Sequence, residues 1–241
     1  MESPLQPNSL VIAIFEFVLL IFSLSVHECA HAWVASRLGD QTARLQGRIT
    51  LNPMYHIDPI GTLLFPAIAI FGPLIGMGML RGMLVGWAKP TPVISRNFQK
   101  IRRDENLVTL AGPASNLFLA LIAFFALIAG AVFMPDGRRI VLYSFISAFQ
   151  PIEDFTPHPL ILLCALAILI NVSLLIFNLL PIPPLDGSHL LRNALPYNAV
   201  QAYDRIPIWI SYLLMIFLGG YIIQAFLVPA IRMVIWALAH A

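Results

Sequence analysis

The sequence predicts an all-α polytopic membrane protein: about four full transmembrane helices, a re-entrant or hairpin segment and a short β element. Three observations carry the prediction. The chain is 59% hydrophobic and 11% charged, where an ordinary soluble domain is about 25% charged. Four apolar segments, roughly 9–38, 105–134, 159–195 with a break, and 206–238, are long enough to cross a bilayer. A fifth, about 59–88, is apolar but interrupted by Pro66, Gly72, Pro73, Gly76, Gly78, Arg81, Gly82 and Gly86.

The first segment carries His27-Glu28-Cys29-Ala30-His31. Positions i and i+4 share a helix face, so His27 and His31 can grip one metal ion together. Glu28 is held beside that metal, where a general base for water activation belongs. Ionisable groups in hydrocarbon cost about 2.5–3.5 kcal/mol for a central Asp and are functional by default. With 6 His among 241 residues, chance produces such a motif about 0.003 times per chain of this composition. The competing reading, two helix histidines bonding nearby carbonyls, leaves Glu28 buried without a partner. Cys29 lies two residues from each His, roughly 200° around the helix, and should point away from the metal.

Residues 40–58 are the least apolar part of the early chain. Leu45 to Leu51 alternates enough for a short strand or hairpin, whose edge could hold an extended peptide by strand addition. Asn52-Pro53 and Asp58-Pro59 mark turns.

Segment 59–88 can cross once or return to its starting side, since irregular backbone is tolerated when buried against protein. If it returns, Arg37, Arg44, Arg48, Arg81, Lys89, Arg96, Lys100, Arg102, Arg103, Arg192 and Arg205 share one face, 11 of the 14 basic residues. If it crosses once, the split becomes 8 to 6. The positive-inside rule favours the return, with the N-terminus outside and the basic loops in the cytoplasm.

The span at 105–134 contains Gly112-Pro113-Ala114-Ser115-Asn116. In the span at 159–195, Pro181, Pro183 and Pro184 cannot remain regular helix, so the chain must unwind there. Asp186 and Gly187 follow directly. A catalytic zinc needs a third protein ligand beside two histidines, and a carboxylate at a helix break inside a span is the best candidate. The alternative is an Asp capping the helix that resumes at Gly187. In the returning topology His31, Asn116 and Asp186 lie about 10, 16 and 13 Å from the cytoplasmic face, at 1.5 Å per residue. Three segments thus bring polar groups to one level.

The formal net charge is +2, and no basic stretch interleaves with aromatics, so nucleic acid is not an expected partner. Cys29 and Cys164 lie in apolar segments and imply no disulfide framework. Met1-Glu2-Ser3-Pro4 lacks the basic region of a signal peptide. No repeat or separate soluble domain is visible, and 1–241 reads as a single membrane-embedded domain.

Three features together resemble the site-2 protease family of intramembrane zinc metalloproteases: His27 to His31, Gly112 to Asn116, and Asn178 through Asp186-Gly187. The resemblance implies a three-span catalytic core in which His27, His31 and Asp186 bind one zinc and Glu28 is the general base. It also places the family's Asn, eight residues before the metal Asp, on Asn178, to hold a substrate strand or stabilise the oxyanion; a polar cap on the helix break is the other reading. Asn52 to Thr62 looks like the compact bacterial branch, and there His56 and Asp58 are either a plug or edge strand at the cleft or interfacial turn residues. His189 is a candidate outer partner of the metal, while His158 and His240 read as interfacial. The implied localisation is a bacterial cell membrane, with the site towards the cytoplasm and a single-span membrane protein as substrate. The chain departs from many relatives in having neither PDZ nor CBS domain, and in Asp186-Gly187-Ser188 where Asp-Gly-Gly is common. A divalent-metal transporter or sensor is the rival reading, since intramembrane His and Asp also line ion paths; it gives no role to Glu28. A catalytically idle binding protein with the same fold is a third, and the intact ligand set argues against it.

Overall fold

The computed structural model describes residues 7–77, 88–149, 152 and 155–241. Helices α1 (Pro7–Arg37), α4 (Ile101–Phe133) and α6 (Pro159–Asn178) form the centre, with α4 packed against both others. Among the described residues, four helical stretches are long and apolar enough to cross a membrane: Ser9–Arg37, Ile101–Phe133, Pro159–Asn178 and Ile208–His240. The last joins α9 (Ile208–Leu214) to α10 (Gly220–His240) through one wide turn at Met215–Gly219.

The burial pattern is that of a membrane protein. On α1 the buried side chains include Ser23, Ser25, His27, Glu28, His31, Ala32 and Ala35, while Leu10, Val11, Ile14, Val18, Phe22 and Trp33 are exposed. Small and polar residues inside with large apolar ones outside is the arrangement a hydrocarbon solvent selects. The outer part of the bundle has an ordinary apolar core. Ala123 and Leu127 of α4, Phe145 of α5 (Gly137–Ser147), Ala165 of α6 and Leu238 of α10 meet there.

Helix α4 begins earlier than the apolar run suggests. Asp104 reaches back to accept from the Lys100 N–H at 2.9 Å, so the charged turn before residue 105 joins the helix. The span expected over 159–195 ends at Asn178, unwinds through 179–185 and restarts as α7 (Asp186–Ala194). Gly187 packs directly on the end of α6: a Cβ there would sit 2.5 Å or less from the backbone of Leu179 and Leu180. Helix α7 is tied down at several points. Arg192 donates two hydrogen bonds of 2.9 and 3.0 Å to Asp204, just past α8 (Tyr197–Tyr203). Tyr203 Oη donates to Pro181 O at 3.1 Å, and Asn193 Nδ2 donates to Asn106 Oδ1 at 2.8 Å.

The short β element is not found: no strand occurs among the described residues, Leu45 ends a short helix, and 46–51 is turn, bend and irregular chain. Asp40 accepts from both the N–H and the hydroxyl of Thr42, starting the single-turn helix α2 (Thr42–Leu45). Gly47, at φ +70°, then turns the chain, and the N–H of Arg48 bonds back to Ala43 O at 3.0 Å. Local bonds take up the groups a ladder would need, so the alternation of Leu45 to Leu51 has no partner strand. The strand-addition edge expected there falls with it.

The fifth apolar segment begins at Asp58, whose carboxylate accepts from the N–H groups of Ile60 and Gly61 at 3.0 and 2.7 Å. A wide turn (Pro59–Leu64), α3 (Phe65–Phe71) and a 3-10 turn (Gly72–Ile75) follow. Gly78, Arg81, Gly82 and Gly86 of the expected re-entrant segment lie outside the described residues. Its two ends meet: Lys89 N–H donates to His56 O at 2.9 Å, and the buried Arg48 guanidinium donates to the carbonyls of both Tyr55 and Lys89.

Candidate metal centre

The i, i+4 spacing of His27 and His31 puts both rings on the face of α1 turned towards α4. That approach requires Gly112: a Cβ there would lie 2.5 Å from His27 Nε2 and closer still to His31 Nε2. The helix break delivers Asp186 to the same point. His27 Nε2 and His31 Nε2 are 3.0 Å apart, and Asp186 Oδ2 lies 3.1 and 3.4 Å from them. Among the described residues, these three are the one cluster of His, Cys, Asp or Glu close enough to hold a metal ion.

The outer hydrogen bonds show which ring nitrogens face the cluster. His31 Nδ1 is 2.7 Å from Val108 O, an acceptor only, so Nδ1 carries the proton. For His27 the logic runs through two amides. Asn171 Nδ2 donates to Ala167 O at 2.9 Å and to Ser23 Oγ at 3.0 Å, which leaves Asn171 Oδ1 to accept from Asn116 Nδ2 at 3.0 Å. Asn116 Oδ1 must then accept from His27 Nδ1, at 2.6 Å. Both Nε2 atoms therefore present lone pairs, 3.0 Å apart, to the same point, and Asp186 Oδ2 is buried beside them with no hydrogen-bond partner. Three lone-pair donors converging in this way fit a cation. Donors of a tetrahedral zinc, each about 2.0 Å from the metal, lie about 3.3 Å from one another, and the observed triangle has sides of 3.0, 3.1 and 3.4 Å.

Glu28 stands next to this triangle and is tethered from outside α1. Its Oε2 accepts from Thr91 N–H at 3.1 Å and from Thr91 Oγ1 at 2.7 Å.

The family model of peptidase family M50 matches residues 15–220. The chain belongs to family M50, the site-2 proteases. YwhC of Bacillus subtilis, provisionally named a zinc metalloprotease, is 36% identical over 224 residues, covering 93% of this chain and 85% of YwhC. Rip2 of Mycolicibacterium smegmatis and Rip2 of Mycobacterium tuberculosis carry the same provisional description. They are 29% and 30% identical, covering 80% and 69% of this chain and 63% and 52% of their own lengths. No solved structure matches significantly. The M50 chain is thus an integral membrane metallopeptidase of a zinc-dependent family, as the resemblance of its motifs implied.

Other candidate residues fall elsewhere. Asn178 is half-buried at the end of α6, and its Nδ2 donates to Leu174 O at 3.0 Å. His56 is buried, with Nε2 2.8 Å from Thr50 O in its own loop. Asp58 caps the turn that follows it, and His189 is exposed. Cys29 and Cys164 are half-buried free thiols outside the donor cluster. His240 is 2.7 Å from Trp236 O at the end of α10. Sequence reasoning placed Asn116 at the right level but gave it no partner, and it missed Asn171, Ser23, Val108 O and Thr91. An amide in the middle of the apolar span Pro159–Asn178 was the available signal for Asn171; nothing in the sequence pointed to Thr91.

Proposed function

We propose that this M50 peptidase is a single-domain intramembrane endopeptidase holding one zinc per chain. It hydrolyses peptide bonds in or near the transmembrane segment of single-span membrane proteins. His27, His31 and Asp186 are its ligands and Glu28 its general base. The observation that carries the reading is the convergence of two imidazole lone pairs and an unpartnered carboxylate oxygen beside a tethered carboxylate, on a helix whose outer face is apolar.

Zinc bound there supplies Lewis acidity, which lowers the pKa of a water towards ~7 and polarises the scissile carbonyl. The chain's own groups do the rest. Glu28 accepts a proton from the attacking water and returns it to the leaving amine. Asn116 and Val108 O hold the imidazoles in the tautomer that donates through Nε2. Asn178, at the helix break, is assigned to the extended substrate or its oxyanion. A substrate helix must unwind to expose its amides, so spans containing Gly or Pro are preferred.

We place the protein in a bacterial cell membrane, its site towards the cytoplasm, with 59–88 as a hairpin returning to its starting side. The meeting of His56 with Lys89 and the charge asymmetry support that arrangement. The transporter reading leaves Glu28 idle. The test uses purified protein and a single-span reporter with a Gly-Pro step in its span. Wild type should hold about one zinc and cleave. Glu28→Gln should keep the zinc and lose cleavage, and Asp186→Ala should lose both. A Glu28→Gln variant that cleaves at the wild-type rate would overturn the mechanism.

A further inference from the structure

Adjacent residues on a helix are about 100° apart, so Glu28 lies off the face that carries His27 and His31. The metal position does not restrain its carboxylate; something outside α1 must. The segment 88–94 runs past it without helix or strand. Pro90 and Pro92 have no N–H to give and hold φ near −65°. Three of the remaining N–H groups all point at the catalytic half of the molecule. Lys89 N–H goes to His56 O at 2.9 Å, Thr91 N–H to Glu28 Oε2 at 3.1 Å, and Ile94 N–H to Asp40 Oδ2 at 2.7 Å. Asn97 Nδ2 adds a bond to Asp40 Oδ1 at 2.8 Å. The strap is pinned on both sides of Thr91, which sits over the general base.

We propose that Thr91 is the positioning residue of Glu28: the strap 88–94 holds Oε2 through two donors and leaves Oε1 to move the proton. The second donor is the Thr91 hydroxyl, whose one hydrogen goes to Oε2 at 2.7 Å, with Glu28 O 3.2 Å away as the weaker acceptor. No bond to Oε1 is present among the described residues. The division is chemically useful, because a base whose two oxygens were both engaged would have no site for the incoming proton, and one with neither engaged would wander. This role rests on the peptidase reading above, with Glu28 as base.

The experiment has two arms. In the first, Thr91→Val removes the hydroxyl at nearly constant volume and Thr91→Ser retains it. With the same single-span reporter, Thr91→Val should lower kcat by about tenfold or more, as small misplacements of a reacting group do, with KM and zinc content unchanged. Thr91→Ser should restore most of the rate. A merely structural strap predicts instead lost zinc, or equal damage from both variants; either result, or a wild-type kcat in Thr91→Val, overturns the proposal. The second arm needs no turnover. Hydrogen exchange of the peptide over 88–94 should show one more fast amide in Glu28→Ala than in wild type, since the prolines leave few amides there and Ile94 stays pinned by Asp40. No change in exchange means Thr91 is not tethered to Glu28 and also overturns the proposal. A wild type that binds zinc but cleaves nothing overturns the peptidase reading and the positioning role with it, while the exchange arm still decides the contact.

Discussion

Asn116 Oδ1 lies 2.6 Å from His27 Nδ1, and this contact decides which nitrogen of His27 faces the metal position. The amide cannot turn round, because its Nδ2 is held by Asn171, whose own orientation is set by Ala167 O. The chain of bonds Ser23, Asn171, Asn116, His27 links α1, α4 and α6 and is buried throughout. Removing the acceptor frees His27 to take the other tautomer or rotate. Asn116→Ala should therefore weaken zinc binding by about 10–100-fold, the usual cost of losing an outer partner of a ligand histidine. Asn116→Asp keeps an acceptor and should lose less. A chelator titration of purified protein checks this, and equal zinc affinity in wild type and Asn116→Ala would refute it.

The parts of this site that were legible in the sequence are those set by helical periodicity and covalent geometry. His27 and His31 share a face because 3.6 residues make a turn, and the chain opens at Pro181 to Pro184 because proline has no N–H. The depth count put Asn116 and Asp186 at the right level for the same reason. What stayed hidden depends on packing between distant segments. Thr91 is 63 residues from Glu28, and only the folded loops bring it there. The expected strand at 45–51 failed because alternation does not specify a partner, and Asp40 and Gly47 made local bonds more favourable. In the sequence Gly112 is only part of a motif; its physical meaning, a helix surface flat enough to receive two imidazoles, depends on the neighbouring helix.

Asp40 anchors the loops that flank the site, and its dependence on pH follows from its partners. It is fully buried and accepts from Thr42 N, Thr42 Oγ1, Ile94 N and Asn97 Nδ2. Burial pushes its pKa up, but the hydrogen bonds to Thr42, Ile94 and Asn97 outweigh this and hold it below the ordinary carboxylate value. A carboxylate depressed in the folded state contributes stability that is complete above the unfolded pKa of about 3.9 and is lost as pH falls through the lower folded value. Asp40→Asn should cost about 1.5–3 kcal/mol at pH 7, the range for hydrogen bonds to a charged group. The gap between wild type and variant should narrow below about pH 4. Thermal unfolding in detergent at several pH values measures the gap, which a merely steric role for Asp40 would leave constant.

The same anchor bears on topology. Asp40 follows α1 and Asn97 precedes α4, yet their side chains bond at 2.8 Å. Lys89 N–H and His56 O bond across the ends of the intervening apolar segment. Both contacts support the proposal that the loops at 40–58 and 88–100 lie on one side of the membrane and that 59–88 returns to it. In the proposed arrangement 11 of the 14 basic residues would share one face, which the positive-inside rule would assign to the cytoplasm. Single-cysteine variants test it directly in a background with Cys29 and Cys164 replaced. Arg44→Cys and Arg96→Cys should both resist a membrane-impermeant thiol reagent added to whole cells and both react after lysis. Arg138→Cys, beyond the crossing of α4, should react in whole cells. Labelling that puts positions 44 and 96 on opposite faces would mean that 59–88 crosses once, and that the loops bearing Asp40 and Asn97 do not meet.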